Sequence, residues 1–289
     1  MSSQQIVYLD GEFLPMDQAR VSPMDRGFLF GDGVYEVIPV YQGRLFEWSA
    51  HLQRLKNSLA AVSIDNPLND QAWLTVLNEL VKRHPWQDQF IYLQVTRGVQ
   101  IPRDHLPSAD LKPTVYAYTN PLKPLSDQVL TRGIKVITVD DIRWLRCDIK
   151  ALTLLPNVMM KLQAQAAGVD DAILVRPDGE VTEGSASNVF LIKDQQIITP
   201  PLSDKILPGI TRHVIEKLCQ QHHIPFIERI IQKTELDEAD ELWLASSTKE
   251  ALPITELNGR SVGNGLPGTV WQTLRQHYQD YKLQILQSL

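Results

Sequence analysis

Apolar positions along the 289-residue chain change period several times, and each change marks an element. Short alternating or β-branched runs, the signature of strands, cover Ile6–Leu9, Val34–Tyr41, Phe90–Thr96 and Thr114–Thr119. Asp10-Gly11 turns the first of these into Glu12-Phe13-Leu14, and Gln42-Gly43 turns the second into Arg44–Glu47. After Ser49, a residue suited to a helix N-cap, Leu52, Leu55, Leu59 and Val62 recur at steps of three and four as one buried stripe. Asp70–Lys82 predicts a second amphipathic helix with Trp73, Leu74, Leu77, Leu80 and Val81 inward. The second half predicts strand Ile134–Val139, then a helix from Thr153 to Ala167 with Pro156 in its first turn and Gly168 at its end. Strand Ala172–Arg176, a turn at Pro177-Asp178-Gly179 and the hairpin Val189–Ile192 with Ile197–Thr199 follow. Gly209-Ile210-Thr211 opens a helix with Val214, Ile215, Leu218 and Cys219 inward, and Glu241–Ala245 is a short strand. Asn258-Gly259 is a late turn before a terminal helix, Val270–Leu286.

Strands and helices mix without the regular alternation of a doubly wound sheet, and neither Gly-x-Gly-x-x-Gly nor a Walker loop is present. Two α+β domains are expected, residues 1–120 and 130–289, joined by a linker at 121–129 within the proline-bearing stretch Asn120–Gln128. Composition is that of an ordinary globular enzyme, 43% hydrophobic and 21% charged. A net charge of −6 with scattered basic residues gives no basis for nucleic-acid binding, and no apolar run is long enough for a membrane span. The two cysteines, Cys147 and Cys219, make neither a disulfide framework nor a metal site, and the chain opens on no secretory signal. The cytoplasm is the expected location.

Candidate chemistry centres on Lys150, set between Ile149 and Ala151-Leu152-Thr153-Leu154-Leu155. Burial and the nearby Arg143 and Arg146 would disfavour its ammonium, and a neutral lysine amine can attack a carbonyl. A snorkelling lysine is the plainer alternative. Further on, Glu183 lies in a glycine- and serine-rich turn, Val-Thr-Glu-Gly-Ser-Ala-Ser-Asn (181–188). The glycine-dense Asp25–Gly33 suits either a bent loop or a close approach to a ligand. Arg97–His105 is a loop carrying two arginines and a histidine, a binding loop or a solvated basic one.

Arg-Cys-Asp-Ile-Lys (146–150), Val-Thr-Glu-Gly-Ser-x-Ser-Asn-Val-Phe (181–190) and Leu-Pro-Gly-Ile-Thr-Arg (207–212), in this order, resemble the fold-type IV pyridoxal-phosphate enzymes, and among them the D-amino-acid aminotransferases. The resemblance covers about Tyr8 to Leu257 and implies a small N-terminal α/β domain, a larger barrel-like C-terminal α/β domain, and pyridoxal 5'-phosphate in the cleft. It implies Lys150 as the catalytic lysine that holds the cofactor and moves a proton, and Glu183 at the pyridine nitrogen. It places Arg54, Ile210, Thr211 and Ser247 at the phosphate and Leu207 against the ring. Tyr35, Arg103 and His105 are implied as the grip on the substrate carboxylate, with the Arg-x-His loop donated by the partner of a homodimer. Ala186 departs from the serine that many relatives carry.

The implied reaction moves an amino group between D-amino acids such as D-alanine and 2-oxo acids such as 2-oxoglutarate. A branched-chain L-amino-acid or amine transaminase and a lyase of the same fold are the alternatives, and a non-catalytic metabolite-binding protein is the alternative from another class. The Leu-Pro-Gly-Ile-Thr element does not separate the D- from the branched-chain enzymes; the Arg-Cys-Asp-Ile-Lys context and the Arg-x-His pair do.

Overall fold

A computed structural model describes residues 5–287. The chain divides into two compact units: one runs to Lys123 and takes in Ile149–Thr153, and the other comprises Pro124–Asp148 and the chain from Leu154 onward. Lys150 therefore belongs to the first unit, although Asp148 and Leu154 on either side belong to the second.

In the first unit β1 (Ile6–Leu9), β2 (Glu12–Pro15), β3 (Gly33–Tyr41), β4 (Arg44–Leu45), β5 (Gln89–Thr96) and β6 (Thr114–Pro121) form an antiparallel sheet in the order β2-β1-β6-β5-β3-β4. The glycine-dense stretch folds into a short helix, α1 (Arg26–Phe30), capped by the Asp25 carboxylate and closed by Gly31. Helices α2 (Trp48–Ala61) and α3 (Asp70–Lys82) supply the sheet's cover. Leu52, Leu55 and Leu59 of α2 and Trp73, Leu77, Leu80 and Val81 of α3 share one core with Ile38, Ile91, Leu93 and Val95. Burying each such side chain stabilises the fold by about 1.5–3 kcal/mol. Ser49 is not the α2 cap: the cap lies two residues earlier, at Glu47 in a left-handed conformation, because the chain turns sharply out of β4. The strand expected over Arg44–Glu47 is correspondingly only Arg44–Leu45.

In the second unit a short helix, α4 (Asp127–Arg132), N-capped by Ser126, begins in the expected linker and runs past its end. Strands β7 (Ile134–Asp140), β8 (Asp171–Val175), β9 (Glu180–Gly184), β10 (Asn188–Lys193), β11 (Gln196–Thr199), β12 (Phe226–Glu228), β13 (Ile231–Gln232), β14 (Glu241–Ser246), β15 (Glu250–Leu257) and β16 (Arg260–Ser261) make one sheet. Its central order is β10-β14-β15-β7-β8-β9, and β9 pairs again with β10 through Glu183 and Asn188, closing a ring of strands. Val136, Ile173, Val181, Val189, Leu191, Leu242, Leu244 and Ile254 form its apolar core. Helices α5 (Leu155–Ala166), α6 (Ile210–Gln221) and α7 (Thr269–Gln287) complete the unit. Glu183, expected in a turn, instead lies on β9, because closure of the ring extends that stretch. Among the described residues no helix is long and apolar enough to cross a membrane.

Candidate active site

Lys150 reaches its place through backbone pairing. The Tyr35 N–H donates to the Lys150 carbonyl (3.0 Å) and the Leu152 N–H to the Gly33 carbonyl (3.0 Å), so residues 149–153 run along β3. Gly33 permits this approach, since a Cβ there would come within 2.5 Å of the Val95 carbonyl and 2.7 Å of Leu152 Cδ1. The Lys150 backbone N–H donates to Ser58 Oγ (3.2 Å), and its half-buried amine lies 4.1 Å from the centre of the Tyr35 ring. No carboxylate pairs with that amine among the described residues. From sequence, Arg143 and Arg146 are expected to act as cations on this amine, but both are paired with carboxylates. Arg146 is spent on Asp148, and Arg143 on Asp141 and Glu183.

Arg54, on α2, is buried and fixed by Glu36 of β3: its Nε and Nη2 donate to the two carboxylate oxygens at 2.7 and 2.8 Å. His51, one turn before it, brings Nδ1 within 2.7 Å of the same carboxylate. Burial alone would raise the Glu36 pKa, but Arg54 and then His51 hold it well below the ordinary value. Burial outweighs the Glu36 contact at His51 and keeps the imidazole pKa below its own ordinary value. Neither Glu36 nor His51 was legible as a partner of Arg54, since both lie inside ordinary strand and helix patterns.

Glu183 is the centre of a second network. Its Oε1 accepts from Asn188 Nδ2 and from the Leu207 backbone N–H, both at 3.0 Å, and its Oε2 accepts from Arg143. Arg143 is itself clamped by Asp141 (2.9 Å), whose carboxylate also takes the Thr182 hydroxyl (2.7 Å) and lies 3.1 Å from Arg176. Burial pushes the Glu183 carboxyl above its ordinary value, with Arg143 and the Leu207 N–H pulling the other way. Asn188 also donates to the Leu207 carbonyl (3.0 Å), so Glu183 and Leu207 are brought together by both of Leu207's backbone groups. Asn188 and Asp141 were missed from sequence, and Arg143 was noticed but given another role.

Thr211 and Ile210 are buried at the start of α6, whose N-cap residue, Gly209, offers no side-chain hydrogen bond to the helix. The N–H groups of that turn thus have no side chain capping them, and they favour an anion. Gly209 cannot be replaced freely: a Cβ would come within 1.9 Å of Asn188 Oδ1. Ser247 sits half-buried in the turn between β14 and β15. The hydroxyl of Ser187 is buried with no hydrogen-bond partner among the described residues. A phosphorylated pyridine aldehyde needs a free amine, a buried carboxylate and an anion-binding helix start. Taken unit by unit, the residues suit such a group: the first carries the Lys150 amine, with no carboxylate on it among the described residues, and the second carries the buried Glu183 carboxylate and the uncapped start of α6.

Arg103 and His105 are exposed on the loop after β5, and both lie against Phe30. The Arg103 guanidinium is 4.4 Å from the ring centre, and the His105 ring centre is 5.4 Å away. Tyr35 stacks on Tyr92 at 5.7 Å between ring centres, and Tyr92 stacks on Tyr118 at 5.2 Å.

The family model for class IV amino-transferases matches residues 33–257. The chain is 43% identical over 275 residues to a D-alanine aminotransferase of Bacillus licheniformis, covering 95% of this chain and 96% of that protein. A D-alanine aminotransferase of Staphylococcus haemolyticus is 40% identical over 277 residues, covering 95% and 97%. Among solved structures, a branched-chain aminotransferase of Thermoproteus uzoniensis superposes with a TM-score of 0.87 at 27% identity, covering 96% and 94%. The Escherichia coli branched-chain enzyme superposes at 0.89 with 24% identity, covering 95% and 93%, which speaks to the fold alone. With a family match spanning most of its length and relatives this similar from end to end, the chain belongs to the class IV aminotransferases.

Proposed function

We propose that this protein is a pyridoxal-phosphate-dependent aminotransferase that moves the amino group between D-amino acids, D-alanine among them, and 2-oxo acids such as 2-oxoglutarate. The observation that carries the substrate class is the end-to-end likeness to D-alanine aminotransferases, 43% identical in one case. When bound, the cofactor supplies the electron sink that makes the substrate Cα–H acidic. Lys150 would hold it through Nζ, and that amine, above the Tyr35 ring, would take and return the proton at substrate Cα whenever it is released from the link. Glu183 would stand at the ring nitrogen, where its negative charge, oriented by Arg143, Asn188 and the Leu207 N–H, would favour the protonated ring. Leu207 would pack against the ring. The N–H groups of Ile210 and Thr211, the Ser247 hydroxyl and the Arg54 guanidinium would receive the phosphate. Tyr35, Arg103 and His105 grip the substrate carboxylate.

The active form in this reading is a homodimer in which one subunit presents its Arg103–His105 loop to the other. Support comes from the exposure of that loop, including Ile101 (76%) and Leu106 (78%), an apolar surface suited to cover by a second chain. A cytoplasmic location accords with two buried cysteines that are both free. D- and L-alanine assayed side by side with 2-oxoglutarate test the substrate class: D-alanine is the expected donor. Preference for L-alanine, or for L-leucine over D-alanine, overturns it in favour of the branched-chain reading.

A further inference from the structure

The loop that carries Arg103 and His105 is exposed, yet it is fastened from beneath by one buried cation. Arg26, only 4% exposed, spreads its guanidinium over four acceptors. Nε donates to Asp32 Oδ2 (2.7 Å), Nη1 to Gln100 Oε1 (3.0 Å) and the Asp104 carbonyl (2.6 Å), and Nη2 to the His105 carbonyl (2.8 Å). Three of these bonds end on the loop, and two of them grip the residues immediately following Arg103. Asp32 is held in turn by Arg97, whose Nε and Nη2 donate to its two oxygens at 2.8 and 2.9 Å. Gln100, gripped by Arg26, donates to the Leu106 carbonyl (3.1 Å) and accepts from the Ser108 N–H (3.3 Å), tying down the far side of the loop.

Side chains are ordered on the same base. Phe30, at the end of α1, has the Arg26 guanidinium 4.9 Å and the Arg103 guanidinium 4.4 Å from its ring centre. Two such cations near one ring repel each other unless one is neutralised. Asp32, shared with Arg97, offsets part of the Arg26 charge, while Arg103 has no carboxylate partner among the described residues and keeps its charge for a ligand. A loop with only a covering role would not need a buried arginine spent on two of its carbonyls.

We propose that Arg26 is the positioning residue of the carboxylate-binding loop: it fixes the backbone at Asp104 and His105 so that Arg103 and His105 are preset for the substrate carboxylate. This rests on the reading above that those two side chains bind that carboxylate. Loss of the clamp should act on substrate affinity rather than on chemistry, because displacing a binding group by about 1 Å costs up to roughly a hundredfold.

Arg26→Lys tests it, since a lysine can still pair with Asp32 but has no planar fork to span the loop carbonyls. In the protein without added cofactor, the amides of Leu106 and Ser108, bonded to Asp104 Oδ1 (3.0 Å) and Gln100 Oε1 (3.3 Å), should exchange hydrogen at least tenfold faster than in the parent. In the loaded enzyme KM for D-alanine should rise roughly ten- to a hundredfold with kcat little changed. The same substitution should add little in an Arg103→Leu background, because both act through one interaction. If Arg26→Lys does not fold, Gln100→Ala removes the third Arg26 bond to the loop and the ties to the Leu106 carbonyl and the Ser108 N–H, leaves the bonds to Asp104 and His105, and should give the same split at smaller amplitude. Unchanged exchange, or an unchanged KM while Arg103→Leu raises it, overturns the clamp and leaves the carboxylate reading standing. An Arg103→Leu enzyme with unchanged KM for D-alanine overturns the carboxylate reading itself, whatever Arg26 does.

Discussion

Replacing Glu183 by glutamine separates its structural work from its chemical work. The carboxylate accepts from Asn188, the Leu207 N–H and Arg143. A glutamine oxygen can keep the first two, but its amide nitrogen turns a donor toward the Arg143 guanidinium. A hydrogen bond to a charged group contributes about 1.5–3 kcal/mol. Breaking a buried ion pair outright costs about 3–5 kcal/mol, but Arg143 retains Asp141 at 2.9 Å and is not left unpaired. The expected loss is therefore near the lower range, about 2 kcal/mol, or a fall in Tm of roughly 4–8 °C. The chemical effect is larger. In the proposed role, losing the charge beside the ring nitrogen would remove an electrostatic stabiliser, which typically costs about 10²–10³ in kcat. Differential scanning calorimetry and D-alanine turnover, measured on the same preparation at saturating cofactor, give the two numbers. A Glu183→Gln enzyme that melts lower but turns over within a few-fold of the parent would show that Glu183 only braces Arg143 and Leu207.

Lys150→Ala should abolish steady-state transamination, and borohydride trapping with peptide mapping on the parent should place the cofactor on Lys150; a label on another lysine ends that assignment. Gly209→Ala forces a Cβ against Asn188 Oδ1, at 1.9 Å as the backbone stands, and should cost about 1–3 kcal/mol of stability and weaken cofactor affinity, read by fluorescence titration; normal affinity would remove the α6 start from the phosphate site. Glu36 and His51 both titrate below their ordinary values of 4.5 and 6.5, so the unfolded chain binds more protons than the folded one below each of these. Their contribution is complete above about pH 6.5 and should fall as the pH drops through that value and again below about 4.5. Urea midpoints from pH 8 to 4 measure this, Glu36→Gln should flatten the lower limb, and a midpoint independent of pH would refute the linkage.

The sequence by itself determined what depends on neighbours along the chain. The step of three and four through Trp73, Leu77 and Leu80 delivered α3 with both ends as observed, and Gly209 marked the start of α6, because helix hydrogen bonds and amphipathic burial are local. The ordered motifs around Lys150, Glu183 and Leu207 were legible for the same reason: each is a short string whose identity survives without knowing its partners. Tertiary structure alone decided the rest. β15 went unseen because Pro253 and the flanking acidic residues break its alternation, and it exists because β14 and β7 pair with it on either side. Glu183 became a strand residue only when β9 met β10. Arg54 found Glu36 18 positions earlier, Arg143 found Glu183 40 positions later, and Arg26 found the carbonyls of Asp104 and His105 78 and 79 positions later. A charge in a sequence says that a partner is needed once it is buried; which carboxylate or carbonyl answers is fixed by sheet order and register, and those are properties of the whole fold.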